Sequence, residues 1–223
     1  MALVRVLEPE VMDSEEEAKD YDAMDHAVVN ARFCVDVLAL DPSLDRVLDV
    51  GTGTAQIPIE LVRRAPAARV VGVDLADAML RLAEDNVIAA GAGDAISLER
   101  ADAKSLPYAA GSFTAVVSNT ILHHIPDAEA ALREMLRVLG RGGLLFVRDL
   151  VRPEDDAAVA QLVETYALGQ NERQRALFEA SLRAAFTLAE VREMARRLGV
   201  PEGAVRMTSD RHWTLSYRKL EAS

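Results

Sequence analysis

Three short segments set carboxylates and glycines where a single ligand would meet them. Val47-Leu48-Asp49-Val50-Gly51-Thr52-Gly53-Thr54-Ala55-Gln56 carries a β-branched run into a glycine turn. Glycines there let the backbone turn sharply and approach a ligand without Cβ obstruction. A dinucleotide-binding turn offers the same Gly-x-Gly, and two residues separate the readings. Gln56 stands where the dinucleotide fingerprint has its third glycine, and its side chain would crowd a pyrophosphate at the helix N-terminus. Asp49, two residues before Gly51, sets a carboxylate against the ligand, which suits an ammonium and repels a pyrophosphate. Asp74 closes the next run, Arg69–Asp74, where an acidic side chain can accept two hydrogen bonds from a ribose diol. Asp102-Ala103 follows the third run and can hold an adenine edge through a carboxylate and a backbone amide. A strand-end Asp is as often a helix N-cap. The ordered set Asp49, Gly51, Gly53, Asp74 and Asp102 nevertheless matches a ligand that combines a cation, a ribose diol and an adenine.

The elements that must position these residues are legible from periodicity. β-branched runs at Arg46–Val50, Arg69–Asp74, Ala95–Arg100, Phe113–Val117 and Gly143–Leu150 alternate with helical patterns at Ala55–Arg64, Ala76–Ala90 and Asp127–Leu139. The alternation predicts an α/β, doubly wound, mostly parallel sheet. After Pro153 two helices follow without a strand, Asp155–Leu168 and Glu172–Ala185, and resemble a cap. Thr187-Leu188-Ala189-Glu190 is a capping box opening a further helix to Leu198. Ala204–Thr208 and His212–Arg218 then predict an antiparallel C-terminal hairpin, giving seven strands. Upstream, Ser14-Glu15-Glu16-Glu17 is a second capping box that starts a helical region running to Leu40. No inter-domain linker is visible, so residues 1–223 read as one domain. Residues 1–45 would form a helical lid, 46–150 the ligand-binding core, 151–186 the cap, and 187–223 the last helix and terminal strands.

Composition bounds the function. The 223 residues are half hydrophobic, which excludes wholesale disorder. The one cysteine, Cys34, excludes a disulfide framework and any Cys-cluster metal site. Apolar runs such as Leu144–Val147 are far too short to span a bilayer, and no signal segment opens the chain, so a cytoplasmic protein without a membrane partner is expected. The formal net charge is −11. Residues 1–50 carry four basic and thirteen acidic side chains, whereas 171–223 carry ten basic and seven acidic. Bulk charge of that sign opposes a phosphate backbone, so no nucleic-acid partner is expected.

With these motifs in place, the segment Val47 to Leu150 resembles the class I S-adenosylmethionine-dependent methyltransferases, the seven-stranded Rossmann-like family. Val47–Gln56 is similar to the family's first motif and Val71–Asp74 to its second-strand acidic motif. Arg100-Ala101-Asp102-Ala103 with Leu106-Pro107 is similar to its adenine motif, and Phe113–Asn119 to the strand lining the methyl-transfer site. Leu132–Gly143 resembles the helix-turn-Gly-Gly approach to the fifth strand, and Val205–Arg218 the terminal antiparallel strands. The resemblance implies S-adenosylmethionine as cofactor and methyl transfer to a small-molecule acceptor. It implies a cofactor set of Asp49, Gly51, Thr52, Gly53, Gln56, Asp74, Leu75, Met79, Asp102, Ala103 and Asn119, although Met79 also fits a core position. It further implies a lid over the cofactor in which Tyr21 and Asn30 close the site and His26 meets the substrate; otherwise Tyr21 and Asn30 are helix-surface residues.

Methyl transfer from a sulfonium is an in-line displacement, so alignment and water exclusion supply much of the acceleration. A base is needed only if the acceptor must lose a proton. His123 and His124, after the fourth strand, are the candidate catalytic residues because imidazole titrates near neutrality. The alternative is that one caps the Asp127 helix and the other packs on the sheet. A metal is not expected, since adjacent histidines on an extended segment point apart. Arg148 and Arg152, ending the fifth strand, are candidate substrate contacts for an acidic acceptor, with a structural pairing of Arg148 to Asp149 or to N-terminal acids as the alternative. Competing functions remain open: an RNA or other macromolecule methyltransferase, a nicotinamide oxidoreductase, or a cofactor-binding protein without transfer activity. Base-amino methylation typically uses an Asn/Asp-Pro-Pro-aromatic loop after the fourth strand, and this chain reads Ser118-Asn119-Thr120-Ile121 there.

Overall fold

β1 (Arg46–Val50) is buried at every residue after the first, as expected of a central strand covered on both faces. In the computed structural model, which describes residues 3–8, 22, 27–41 and 44–220, β1 pairs in parallel with β2 (Arg69–Asp74) on one side and β4 (Phe113–Asn119) on the other. β2 pairs in parallel with β3 (Ile96–Arg100). With β5 (Leu139–Leu150), β6 (Val205–Met207) and β7 (His212–Arg218), the sheet order is β3-β2-β1-β4-β5-β7-β6. The chain winds outward from β1 to β3 and then returns to the far side of β1. That reversal leaves a crevice at the carboxyl ends of β1 and β4, the position where open α/β sheets bind ligands. β6 and β7 are antiparallel, with Val205 opposite Leu215 and Met207 opposite Trp213. The predicted fold class is the observed one.

The helices are α1 (Ala27–Leu40), α2 (Gln56–Arg64), α3 (Asp77–Ala89), α4 (Ala128–Val138), α5 (Asp156–Tyr166), α6 (Glu172–Ala184) and α7 (Leu188–Arg197). Contacts group the chain into two compact units that interleave along the sequence. The larger comprises residues 11–119, 130–147 and 216–223. In its core Phe33, Cys34 and Val37 of α1 join Val47, Leu61, Val70, Val117 and Leu144, and the Phe33 ring meets Phe146 edge-on at 5.1 Å. The smaller unit comprises residues 1–10, 120–129 and 148–215. It packs Leu150, Val159, Val163 and Leu182 with Leu3 and Phe178. α7 opens with the capping box read from Thr187 and Glu190, and α6 has a second one built by Asn171 and Gln174.

Two boundaries differ from expectation. β4 continues past Val117 to Asn119, which carries Asn119 to the ligand end of the sheet. β5 begins at Leu139 rather than Gly143. Gly140, just past the expected helix, and Gly143, the expected first residue of the strand, are both needed for close packing: a Cβ on Gly140 would sit 3.1 Å from the Phe113 carbonyl, and one on Gly143 only 2.8 Å from that of Thr114. The Ser14 capping box lies outside the described residues.

Candidate cofactor and active site

The turn after β1 takes a left-handed backbone at Gly51 (φ 73°), Gly53 (φ 54°) and Ala55 (φ 62°). It is pinned to β2, because the amides of Gly51 and Thr52 both donate to the Val73 carbonyl at 2.8 and 2.9 Å. Gly72 makes room for it: a Cβ there would lie 2.7 Å from Thr52 Oγ1. Asp74 completes the anchorage. Its Oδ2 accepts from the Gly53 amide at 2.9 Å and its Oδ1 from the Ala76 amide at 3.0 Å. One carboxylate therefore ties the glycine turn to the start of α3, a capping duty it performs in addition to the sugar-binding role expected of it. α2 begins at left-handed Ala55 with no side chain capping its first turn, leaving amide donors of the kind that bind anionic groups at helix N-termini.

Asp49 lies beneath this turn, 1% exposed, and neither carboxylate oxygen has a hydrogen-bond partner among the described residues. Burial, foremost, and the charge of Asp74 push its pKa up to about 7; the Thr52 hydroxyl tempers the shift from close range without making an aligned bond. An unpaired buried carboxylate is costly, and native structures compensate such groups with a cation or donors. The ammonium of an amino-acid tail is a group of that kind, so the residues present fit S-adenosylmethionine.

Within the larger unit, a cavity of about 460 Å³ is lined by Asn30, Gly51, Thr52, Thr54, Gln56 and Asn119, among others. Asn119 Oδ1 is buried and unpartnered. The sequence reading missed Asp22, which also lines the cavity. Its Oδ1 accepts from Gln56 Nε2 at 3.3 Å and Asn86 Nδ2 at 3.1 Å, while Asn86 also donates to the Thr54 carbonyl. The available signal was position, since Asp22 lies in the segment expected to fold over the cofactor. Tyr21 and His26 of that segment lie outside the described residues. Asp49, Asp74 and Asp102 do not line this cavity. Asp102 turns back on its own loop, accepting from the Lys104 amide at 2.8 Å and pairing with Lys104 Nζ at 3.0 Å. Ala103 and Leu75 are half-buried, and the Leu75 carbonyl accepts from Arg100 Nε. Met79 packs in a hydrophobic cluster with Ala76, Ala78 and Leu82, the core position its sequence context also allowed.

In the smaller unit the two histidines form a cluster. His123 is 2% exposed, its Nδ1 lies 2.6 Å from Asp149 Oδ1, and its amide donates to Asp149 Oδ2 at 3.0 Å. Burial pushes the His123 imidazolium pKa down, but the adjacent Asp149 charge and hydrogen bond outweigh it and the net direction is up. Asp149 is correspondingly held below the usual carboxylate range although burial opposes this. Glu8, unanticipated in the sequence, places Oε2 3.1 Å from His124 Nδ1 and 3.8 Å from His123 Nε2. The expectation that adjacent histidines diverge is corrected. Residues 122–124 form a turn rather than an extended segment, and the two ring centroids lie 4.1 Å apart with their planes tilted by 37°.

Both candidate arginines make bonds within the protein. Arg148 Nε donates to Thr214 Oγ1 at 2.9 Å. Arg152 donates to the Ala185 carbonyl and to Glu190 Oε1 at 2.8 Å. With both terminal nitrogens engaged and the side chain buried, Arg152 is a structural tie.

Residues 48–147 match the methyltransferase-domain family. A demethylmenaquinone methyltransferase of Thermus thermophilus is 39% identical over 54% of this chain and 54% of its own. The ubiquinone/menaquinone biosynthesis C-methyltransferase UbiE of Ectopseudomonas mendocina is 31% identical over 61% and 53%. The chain thus spans about half the length of the curated relatives it matches. A solved S-adenosyl-L-methionine-dependent methyltransferase of Methanococcus maripaludis superposes with a TM-score of 0.73 over 98% of this chain and 99% of that one, at 15% identity. The fold is also that of the [4+2]-cyclase SpnF, with a TM-score of 0.61 over 86% of this chain and 82% of that one, at 21% identity. The sequence match over residues 48–147, the strand order and the glycine turn agree in their likeness to the class I S-adenosylmethionine-dependent methyltransferases.

Proposed function

We propose that this chain transfers a methyl group from S-adenosylmethionine to a small-molecule acceptor, and that quinone-type rings are the first acceptors to assay. The observation that carries the reading is Asp49, a buried carboxylate with two unpartnered oxygens beneath a glycine turn at the sheet's reversal point. When bound, the cofactor supplies an electrophilic methyl on a sulfonium. Asp49 would hold the amino tail. Asp74, already fixed by two backbone amides, keeps acceptor capacity for the ribose diol. Gln56 and Asn119 present polar groups to the cavity, and Asp22 keeps Gln56 oriented. The acceptor class rests on relatives named as quinone methyltransferases.

The test incubates the purified chain with methyl-labelled S-adenosylmethionine and a demethylated quinol. Label in the quinone product supports the reading. Tight cofactor binding with no transfer to this or other small acceptors would leave a cofactor-binding protein and overturn it. Label appearing in RNA instead would favour the macromolecular alternative.

A further inference from the structure

We propose that Glu8, His123 and His124 form a binding site for one divalent transition-metal ion of the zinc class. Three donor atoms, one from each residue, lie within 4.8 Å of one another. Two separations, 3.1 Å from His124 Nδ1 to Glu8 Oε2 and 3.8 Å from His123 Nε2 to the same oxygen, bracket the edge of about 3.4 Å that a tetrahedral zinc centre with ordinary bond lengths requires. A shared oxygen between two imidazole nitrogens is also the arrangement that a single ion at their centre would draw inward.

Burial supplies an independent sign. His123 is 2% exposed, and its Nε2 is buried without a hydrogen-bond partner among the described residues although it is aimed at Glu8. His124 Nδ1 is likewise buried and, despite its 3.1 Å approach to Glu8, makes no aligned hydrogen bond. Two buried ring nitrogens facing one carboxylate without aligned bonds are donors that a shared cation would satisfy, because buried polar atoms ordinarily have partners.

The surrounding groups match what metal-bound imidazoles need. Asp149 Oδ1 sits 2.6 Å from His123 Nδ1, which fixes the ring and leaves Nε2 as the donor. Ser181 Oγ donates to both Glu8 oxygens at 3.2 and 3.3 Å, orienting the third ligand. Glu8 and Asp149 together carry two negative charges, enough to offset a dication out of water. Arg5, whose charge acts on His123, is turned to the His123 backbone carbonyl at 2.9 Å and to the Ala184 carbonyl. Two imidazoles and a carboxylate are borderline donors suited to zinc, iron or cobalt rather than to calcium or magnesium. The ion would staple the N-terminal segment to the loop after β4, and it is independent of the methyl-transfer reading.

The experiment strips the full chain with a chelator and titrates Zn²⁺ and Co²⁺ by calorimetry and visible absorption. One equivalent per chain, a raised melting temperature and the visible bands of a low-coordinate Co²⁺ centre are expected. Glu8→Gln and His124→Gln should each weaken binding at least tenfold. Asp149→Asn, which touches no ion, should weaken it ten- to a hundredfold. His212→Gln and Cys34→Ser should leave it unchanged. Should a variant fail to fold, X-ray absorption of the wild-type zinc complex decides, with two imidazoles and carboxylate oxygen expected. Absence of binding overturns the proposal, as do binding indifferent to Glu8 and His124 and a shell containing sulfur. Absence would leave a plain imidazolium–carboxylate network.

Discussion

At the residue scale, the apoprotein keeps Asp49 at an energetic cost that binding would relieve. Its pKa in the fold is about 7, above the ordinary 3.8. A carboxyl shifted upward binds its proton more tightly in the folded state. Its contribution is therefore fully present below about pH 4 and lost as pH rises through 7. At roughly 1.4 kcal/mol per pKa unit the loss amounts to a few kcal/mol. Denaturant melts of the apoprotein across this range should show the decline, and Asp49→Asn should flatten it; an unchanged slope would mean that Asp49 is not the group responsible. Asp74 behaves differently because it is already engaged. Asp74→Ala removes the acceptor of the Gly53 and Ala76 amides. It should therefore cost about 1–2 kcal/mol of stability together with roughly ten- to a hundredfold in S-adenosylmethionine affinity. Loss of affinity with no loss of stability would make the two backbone bonds unimportant. Asp49, Asp74 and the two glycines were legible in the sequence because strand-end position and residue type constrain them together. Glu8, Asp22 and Gly72 were not. The first two act through distant partners, and Gly72 matters only because Thr52 folds back over it.

At the element scale, the end of β4 holds backbone strain. Thr120, a β-branched residue, takes φ 56° immediately after Asn119, and its amide donates to the Arg148 carbonyl at 2.8 Å. Left-handed geometry of this kind costs on the order of 1 kcal/mol for a non-glycine residue and gathers where the chain must aim side chains at a site. Thr120→Gly should raise stability by about that amount in equilibrium denaturation, and a drop would show that the threonine side chain contributes more than the strain removes. Strands and most helices were readable from periodicity, down to the Thr187 capping box. The start of β5 was not, because the segment before Gly143 read locally as a turn, while Gly140 and Gly143 are required for close approach to the backbone of residues 113 and 114. The turn that brings His123 and His124 together was hidden for a similar reason: ring direction depends on loop geometry that spacing does not encode.

At the scale of the whole molecule, Cys34 reports on folding. It is fully buried in the larger core, and burial, aided by nearby Glu60, pushes its thiol pKa up to about 12. A thiol-specific reagent should therefore label the native chain only through global opening. Saturating S-adenosylmethionine should slow labelling in proportion to its binding. Labelling at the rate of a free thiol would contradict the packing. The net charge of −11 acts at the same scale, opposing polyanions.

Isothermal calorimetry of S-adenosylmethionine into the wild-type chain and Asp49→Asn, with melting curves run alongside, bears on the cofactor site without intermediaries. The expected result is one-to-one binding in the wild type, weakened ten- to a hundredfold in the variant, whose fold is at least as stable at neutral pH. Wild-type protein that does not bind the cofactor, or a variant that binds it equally well, would contradict the assignment of that buried carboxylate to the ammonium.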